Sequence, residues 1–302
     1  MERFHPRRIL AAIDFSEGSL AAWHQAEELA RRFDARLEAL HVEPWQYSVA
    51  GLGPIDRPYP ASVAEESLEA LRERLGEDAN IVSLPGDPAE TIVSHAVDGR
   101  FDLIVMSTHG RTGLSRLVLG SIAESVVHRS PVPVLVTRRV IREIDSVLAP
   151  VHFLPYSQAG LIVAARFALE LGASLKLLHV VSPPDVPDSQ ALEGIDRLLG
   201  RMVMSLPEDL RRAVRPSRHV AFGNPAREIV AEAERHGLVV MVAHVRRLFK
   251  DAVMGTTAER VLRHSRTPVL TVPSSATARP SREVFERQGL RAPRSAEGLG
   301  YF

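Results

Sequence analysis

Short apolar runs bounded by turn residues punctuate the chain at positions 8–13, 36–43, 79–84, 102–107 and 133–137. Several are rich in Val and Ile, and runs of this kind predict buried strands. Between the first two, Leu20, Ala21, Trp23, Ala26, Leu29, Ala30 and Phe33 fall on one stripe at helical spacing, which predicts a helix over 17–33. Helices are also predicted over Ser62–Leu75, Pro88–Val97 and Ser121–His128. Asp87 supplies a side-chain cap for the third, and Pro88 suits its first turn. The proline- and glycine-rich stretch 45–60 reads as a loop. Strands and helices therefore alternate. That order predicts an α/β fold: a parallel sheet with right-handed crossovers and helices on both faces.

The pattern then starts again. Residues 9–44 align with 147–182 at an offset of 138, and residues 101–137 align with 236–272 at an offset of 135. The second alignment has no gap, and 14 of its 37 positions are identical, far above chance. Gly86-Asp87-Pro88-Ala89 recurs as Gly223-Asn224-Pro225-Ala226. The repeat is a whole domain rather than a solenoid unit. Two tandem Rossmann-like domains are predicted, over 1–140 and 141–273, each an open five-stranded parallel sheet. Residues 274–302, rich in Ser, Ala, Pro and Arg, read as a flexible tail. The last strands, Pro133–Thr137 and Pro268–Val272, are sheet edges, and exposed edges invite pairing.

The composition narrows the function classes. The chain has 302 residues, with 37 Lys+Arg against 37 Asp+Glu. That balance argues against a nucleic-acid partner, because phosphate backbones need a basic surplus. There is no cysteine, which removes disulfides, thiol nucleophiles and Cys-ligated metals. No run of about 18 apolar residues suggests a membrane span. A cytoplasmic protein is expected. G-x-G-x-x-G after the first strand, G-x-x-x-x-G-K-[ST], G-x-S-x-G and H-E-x-x-H are all missing.

Ligands of open α/β sheets lie beyond the carboxyl ends of the strands. After the fourth strand comes Met106-Ser107-Thr108-His109-Gly110-Arg111-Thr112-Gly113, and then Gly120-Ser121-Ile122 opens a helix. Glycines admit close backbone approach to an anion, and a helix start adds N–H donors and the positive end of the dipole. Ser107, Thr108 and Ser121 add small hydroxyl donors. On spacing alone this segment is either a phosphate cradle or a pair of turns followed by a helix cap.

The whole arrangement resembles the universal stress protein family in tandem form. That family's nucleotide motif runs Gly, two residues, Gly, nine residues, Gly, then Ser or Thr. Here Ser107 takes the place of the first glycine, and Gly110, Gly120 and Ser121 keep register. Ile9–Asp14, Gly86–Ala89 and Pro133–Val136 match further family elements. The resemblance implies an adenine-nucleotide-hydrolase-like fold that binds ATP, with or without Mg²⁺, in the first repeat. Ala12, Ile13 and Val42 would then line the adenine, and Asp14 would meet the ribose or nearby polar groups. Met106, Ser107, His109 and Gly110 would surround ribose and phosphates, with Gly113 in the same glycine loop. Gly120, Ser121 and Ile122 would hold phosphates from the helix start, and Arg111 would help to neutralise them. The resemblance also implies a pseudo-dimer built within one chain and leaves a further homodimer open.

In the second repeat the same positions read differently. Asp14 becomes His152, Ser107 becomes Val242, Gly110 becomes Val245 and Gly113 becomes Leu248. Branched bulk there predicts that no nucleotide binds. His41 and His179 occupy equivalent strand ends and read as buried, hydrogen-bonded residues. With Asp14 as the acidic candidate at the site, slow ATP hydrolysis is the most that is expected. A ligand-independent interaction module is the alternative reading.

Overall fold

The computed structural model describes residues 5–44, 61–108, 119–182, 188–243, 245–248, 251–254 and 256–274. The first repeat runs β1 (Arg8–Ile13), α1 (Glu17–Phe33), β2 (Arg36–Pro44), α2 (Ala61–Leu75), β3 (Ile81–Gly86), α3 (Pro88–Asp98), β4 (Leu103–Ser107), α4 (Ser121–Arg129) and β5 (Val134–Thr137). The second opens with β6 (Ser146–Pro150), α5 (Pro155–Leu171), β7 (Ser174–Val181), α6 (Ser189–Met204) and α7 (Glu208–Val214). It continues with β8 (Ser217–Phe222), α8 (Pro225–Ala233), β9 (Leu238–Ala243), β10 (Val245–Leu248), β11 (Asp251–Met254), α9 (Thr256–His264) and β12 (Val269–Pro273).

Each repeat forms parallel pairs, and the strand order is β3-β2-β1-β4-β5 in the first and β8-β7-β6-β9-β12 in the second. The order reverses between β1 and β4, and again between β6 and β9. β5 and β12 pair antiparallel, Leu270 against Leu135, so both repeats share one ten-stranded sheet. The Thr271 hydroxyl adds a bond to the Val134 carbonyl across this join, at 3.0 Å.

Strand alternation divides the core into two layers, and each layer runs through both repeats. Ile9, Ala11, Leu103 and Val105 face α1, in one cluster with Val147, Leu161 and Phe167. Leu10, Leu40, Ile104 and Met106 face the α3–α4 side, in one cluster with Leu148, Leu178 and Val239. Apolar burial at about 25 cal/mol per Å² is the main favourable term holding such layers together.

The observed bounds of α1 match the predicted helix, but its buried face is turned from the predicted stripe. Leu20 and Ala21 are half-buried, whereas Ser19, Ala22 and Gln25 are buried with Trp23, Ala26, Leu29, Ala30 and Phe33. Gln25 is fully buried and satisfied by the segment that joins the repeats. Its amide donates to the Ile141 carbonyl at 3.3 Å and its oxygen accepts the Ile141 N–H at 2.7 Å. A buried amide paired on both sides avoids the cost of an unmet donor.

β3 lies two residues later than predicted. It is a half-exposed edge, so its apolar pattern marks its ends poorly, and its pairing starts where Asn80 accepts the Ala39 N–H. Gly86 and Gly223 end equivalent strands at φ 154° and 141°. Side chains rarely tolerate that conformation, which is why the glycine of the Gly-x-Pro-Ala element recurs.

The second repeat departs from the simple repetition of order expected for it. It adds α7, and after β9 it forms the antiparallel hairpin β10–β11, Val245 opposite Met254 and Leu248 opposite Asp251. Residues 45–60 and 275–302, read above as loop and tail, lie outside the described residues. Among the described residues, no helix is long and apolar enough to cross a membrane.

Candidate functional site

The carboxyl ends of β1 and β4 diverge where the strand order reverses, and a cleft of about 360 Å³ opens there. Its volume lies within the range of small-molecule sites, about 300–1,000 Å³. Ala12, Ile13, Asp14, Val42, Met106, Ser107, Gly120, Ser121 and Ile122 line it, so nine of the sequence candidates come together. The remaining candidates, His109, Gly110, Arg111 and Gly113, lie outside the described residues. Ser19, Leu40, His41, Pro44, Pro88, Ile92, Thr108 and Ala123 also line it among the described residues. Of these, Thr108 was legible as a donor in the glycine segment. Pro88 and Ile92 come from α3, and the recurring Gly-x-Pro-Ala element was the available signal for that helix start.

The cleft has an apolar side and an anion side. Leu40, Val42, Met106 and Ile92 belong to the buried layer facing α3 and α4. On the other side α4 begins. Its N-cap is Gly120, with no side chain accepting from the first turn. By contrast Ser16, Asp87, Asp188 and Asn224 cap α1, α3, α6 and α8 through their side chains. The first-turn N–H groups of a helix have no intrahelical partner and carry the positive dipole end, so an uncapped start favours an anion. The Gly120 N–H itself donates to the Thr108 carbonyl at 2.7 Å, which clamps the two ends of the glycine segment together.

Two charges flank this start. Glu124 in the first turn of α4 would repel an anion, but Arg263 of α9 reaches it at 3.5 Å. Arg263 also pairs with Glu259 at 2.6 Å. Thus the second repeat supplies the counter-charge to an acid beside the cleft of the first.

Asp14 sits in a tight corner. Its Oδ1 accepts the Ser16 N–H at 3.1 Å and the Ser16 hydroxyl at 2.6 Å. Ser16 then caps α1 by accepting the Ser19 N–H. The residue between, Phe15, has φ 66°. A left-handed conformation costs a non-glycine residue about 1–2 kcal/mol. His41 is buried, and its Nδ1–H donates to the Ile13 carbonyl at 2.8 Å. It agrees with the structural reading of that histidine, yet its ring also borders the cleft.

The equivalent corner of the second repeat is built otherwise. The His152 N–H donates to the Ser157 hydroxyl, and Leu154 precedes α5 without a side-chain cap. A Cβ on Gly160 would lie 2.5 Å from Val242 Cγ2. The aligned pair in the first repeat is Ala22 and Ser107, so a larger strand residue is matched by a smaller helix residue. The branched bulk of Val242 is seated against α5. The Val245 position has become part of a strand in the β10–β11 hairpin.

His152 and His179 face each other with ring centroids 6.4 Å apart. Partial desolvation of the two rings lowers the pKa of both. The proximity of His179 lowers His152 further, while the bond from His179 Nδ1–H to the Val151 carbonyl partly opposes the shift of His179 itself. A folded-state pKa held below the ordinary 6.5 gives stability that is present above that value and lost as pH falls through it. Urea denaturation at pH 7.5 and 5.5 should therefore show an acid-induced loss of stability that shrinks in His152→Gln. An equal loss in that variant would contradict the assignment.

Fold and cleft together define a duplicated Rossmann-like α/β protein with a candidate ligand site at the strand-order reversal of its first repeat. The universal stress protein family matches residues 5–138 and again residues 143–273. The chain belongs to that family. It is 36% identical to a universal stress protein of Methanocaldococcus jannaschii over 146 residues, covering 45% of this chain and 85% of the relative. It is 26% identical to one of Mycolicibacterium smegmatis over 291 residues, covering 87% of this chain and 96% of the relative. Among solved structures, a universal stress protein of Archaeoglobus fulgidus superposes with a TM-score of 0.63 at 20% identity, covering 89% of this chain and 98% of that one. That likeness concerns the fold.

Proposed function

We propose that the cleft of the first repeat binds an adenine nucleotide, ATP with Mg²⁺, and that the second repeat binds none. The chain then acts as a cytoplasmic stress-response regulator, with the two repeats forming a pseudo-dimer inside one molecule. The observation that carries this reading is the junction of an apolar cleft with the uncapped start of α4 at the strand-order reversal. Ala12, Ile13 and Val42 offer a surface for a planar base, and the Ser121 and Ile122 N–H groups suit phosphate oxygens. Mg²⁺ travelling with the phosphates supplies positive charge, which the described lining residues supply only through the helix dipole. Asp14 is the one carboxylate among those residues. Fast phosphoryl transfer needs metal ligands, a positioned water and fixed positive charge together. The described part of the cleft is therefore a binding site, with slow hydrolysis as the upper bound.

Calorimetric titration of the nucleotide-free protein with Mg-ATP tests the reading. One ATP per chain is expected. Two would overturn the silence of the second repeat. None would overturn nucleotide binding and favour an interaction module whose glycine segment only makes turns.

A further inference from the structure

We propose that Arg74 is a positioning residue for the cleft, bracing the strained corner that presents Asp14; this rests on the nucleotide reading above. Two phenylalanines at aligned positions provide an internal comparison. Phe15 holds φ 66° beside the cleft, whereas Phe153 in the second repeat does not enter the left-handed region. The residue type is the same, so the strain belongs to the corner and not to phenylalanine as such. Strained non-glycine backbone persists only where its surroundings over-determine it, and it concentrates at functional sites.

The surroundings of Phe15 do this from both sides. Arg74, in the last turn of α2, donates from its guanidinium to the Phe15 carbonyl at 3.0 Å. The same guanidinium lies 5.9 Å from the centre of the Phe15 ring. The ring packs edge-on against His41 at 4.7 Å, and His41 holds the Ile13 carbonyl. The carbonyls before and after Asp14 are thus both gripped, one by His41 and one by Arg74. Asp14 stands between them, with Oδ1 fixed by Ser16. The histidine grip survives in the second repeat, where His179 holds the Val151 carbonyl at 3.0 Å. There the acid is His152, the capping serine is Leu154, and the strain is gone. Across the two repeats the left-handed corner therefore goes with the acid, not with the fold.

Without Arg74, the peptide after Phe15 is free to relax toward an ordinary conformation, and Asp14 and Ser16 move with it. Arg74→Met keeps the side chain's aliphatic length and removes its donors. Amide hydrogen exchange at Ser16, measured without nucleotide, should be faster in this variant, and ATP affinity should fall about tenfold. Arg74→Lys should recover part of the affinity. Because Arg74 acts through Asp14, adding Arg74→Met to Asp14→Ala should bring no further loss. Unchanged Ser16 exchange, or losses that simply add, would overturn the proposal. A wild-type chain that takes up no ATP overturns the cleft reading instead, and the ligand-free Ser16 exchange tells that failure apart from failure of the brace.

Discussion

Replacing Gly120 with valine should abolish ATP binding, lowering affinity by at least about 100-fold, close to 3 kcal/mol, while the protein stays folded. Gly120 has φ −62° and ψ 144°, an extended conformation that valine adopts without strain. The substitution thus tests space rather than backbone freedom. Gly120 lines the cleft and immediately precedes the N–H groups assigned to phosphate. A branched side chain there holds phosphate oxygens away from the start of α4. The Gly120 N–H bond to Thr108 uses the backbone and survives the change. Valine is a poorer N-cap than glycine, a cost of about 1 kcal/mol to the helix that leaves the fold intact. Calorimetry for affinity and thermal denaturation for folding are the two readouts. Intact affinity would remove Gly120 and Ser121 from the site.

Truncating Phe167 to alanine should produce the largest loss of stability, about 3–5 kcal/mol for a fully buried aromatic. Phe167 belongs to α5 of the second repeat, and its ring meets Phe33 of α1 in the first, edge to face, with centroids 5.2 Å apart. Both rings are 1% exposed. No neighbouring side chain can fill the space without disturbing both repeats at once. Because the core layer and the sheet run through the join, urea unfolding should remain a single transition with its midpoint lowered. Phe167→Leu should cost less, within about 1.5 kcal/mol if the site repacks. Two separate transitions, only one of them shifted, would show that the repeats fold independently.

How far the sequence could be read varies with the physical signal each element leaves. The bounds of α1 were legible because its apolar residues recur at helical spacing. Its exact face was not, because Ser19 and Gln25 are polar and buried. They are accommodated by hydrogen bonds to Ser16 and Ile141 that only the folded chain brings near. The site was legible to the same degree. Asp14, Ser107 and Gly120 follow strands or precede a helix, and strand ends in such sheets are where ligands lie. Ser19, His41, Pro88 and Ile92 enter the cleft from elements whose packing the sequence does not report.

The sequence by itself determined the duplication, the alternation of strands and helices, and the family, because hydrophobic period and spaced glycines are local properties. Tertiary structure alone decided the rest: the antiparallel direction and register of the join between the two edge strands, the meeting of Phe33 with Phe167, and the Arg263–Glu124 pair beside the cleft. It also decided the left-handed Phe15 and its tie to Arg74, and the β10–β11 hairpin of the second repeat. Each of these joins residues distant in the chain or fixes a backbone angle by its surroundings, and no window of local sequence carries either kind of information.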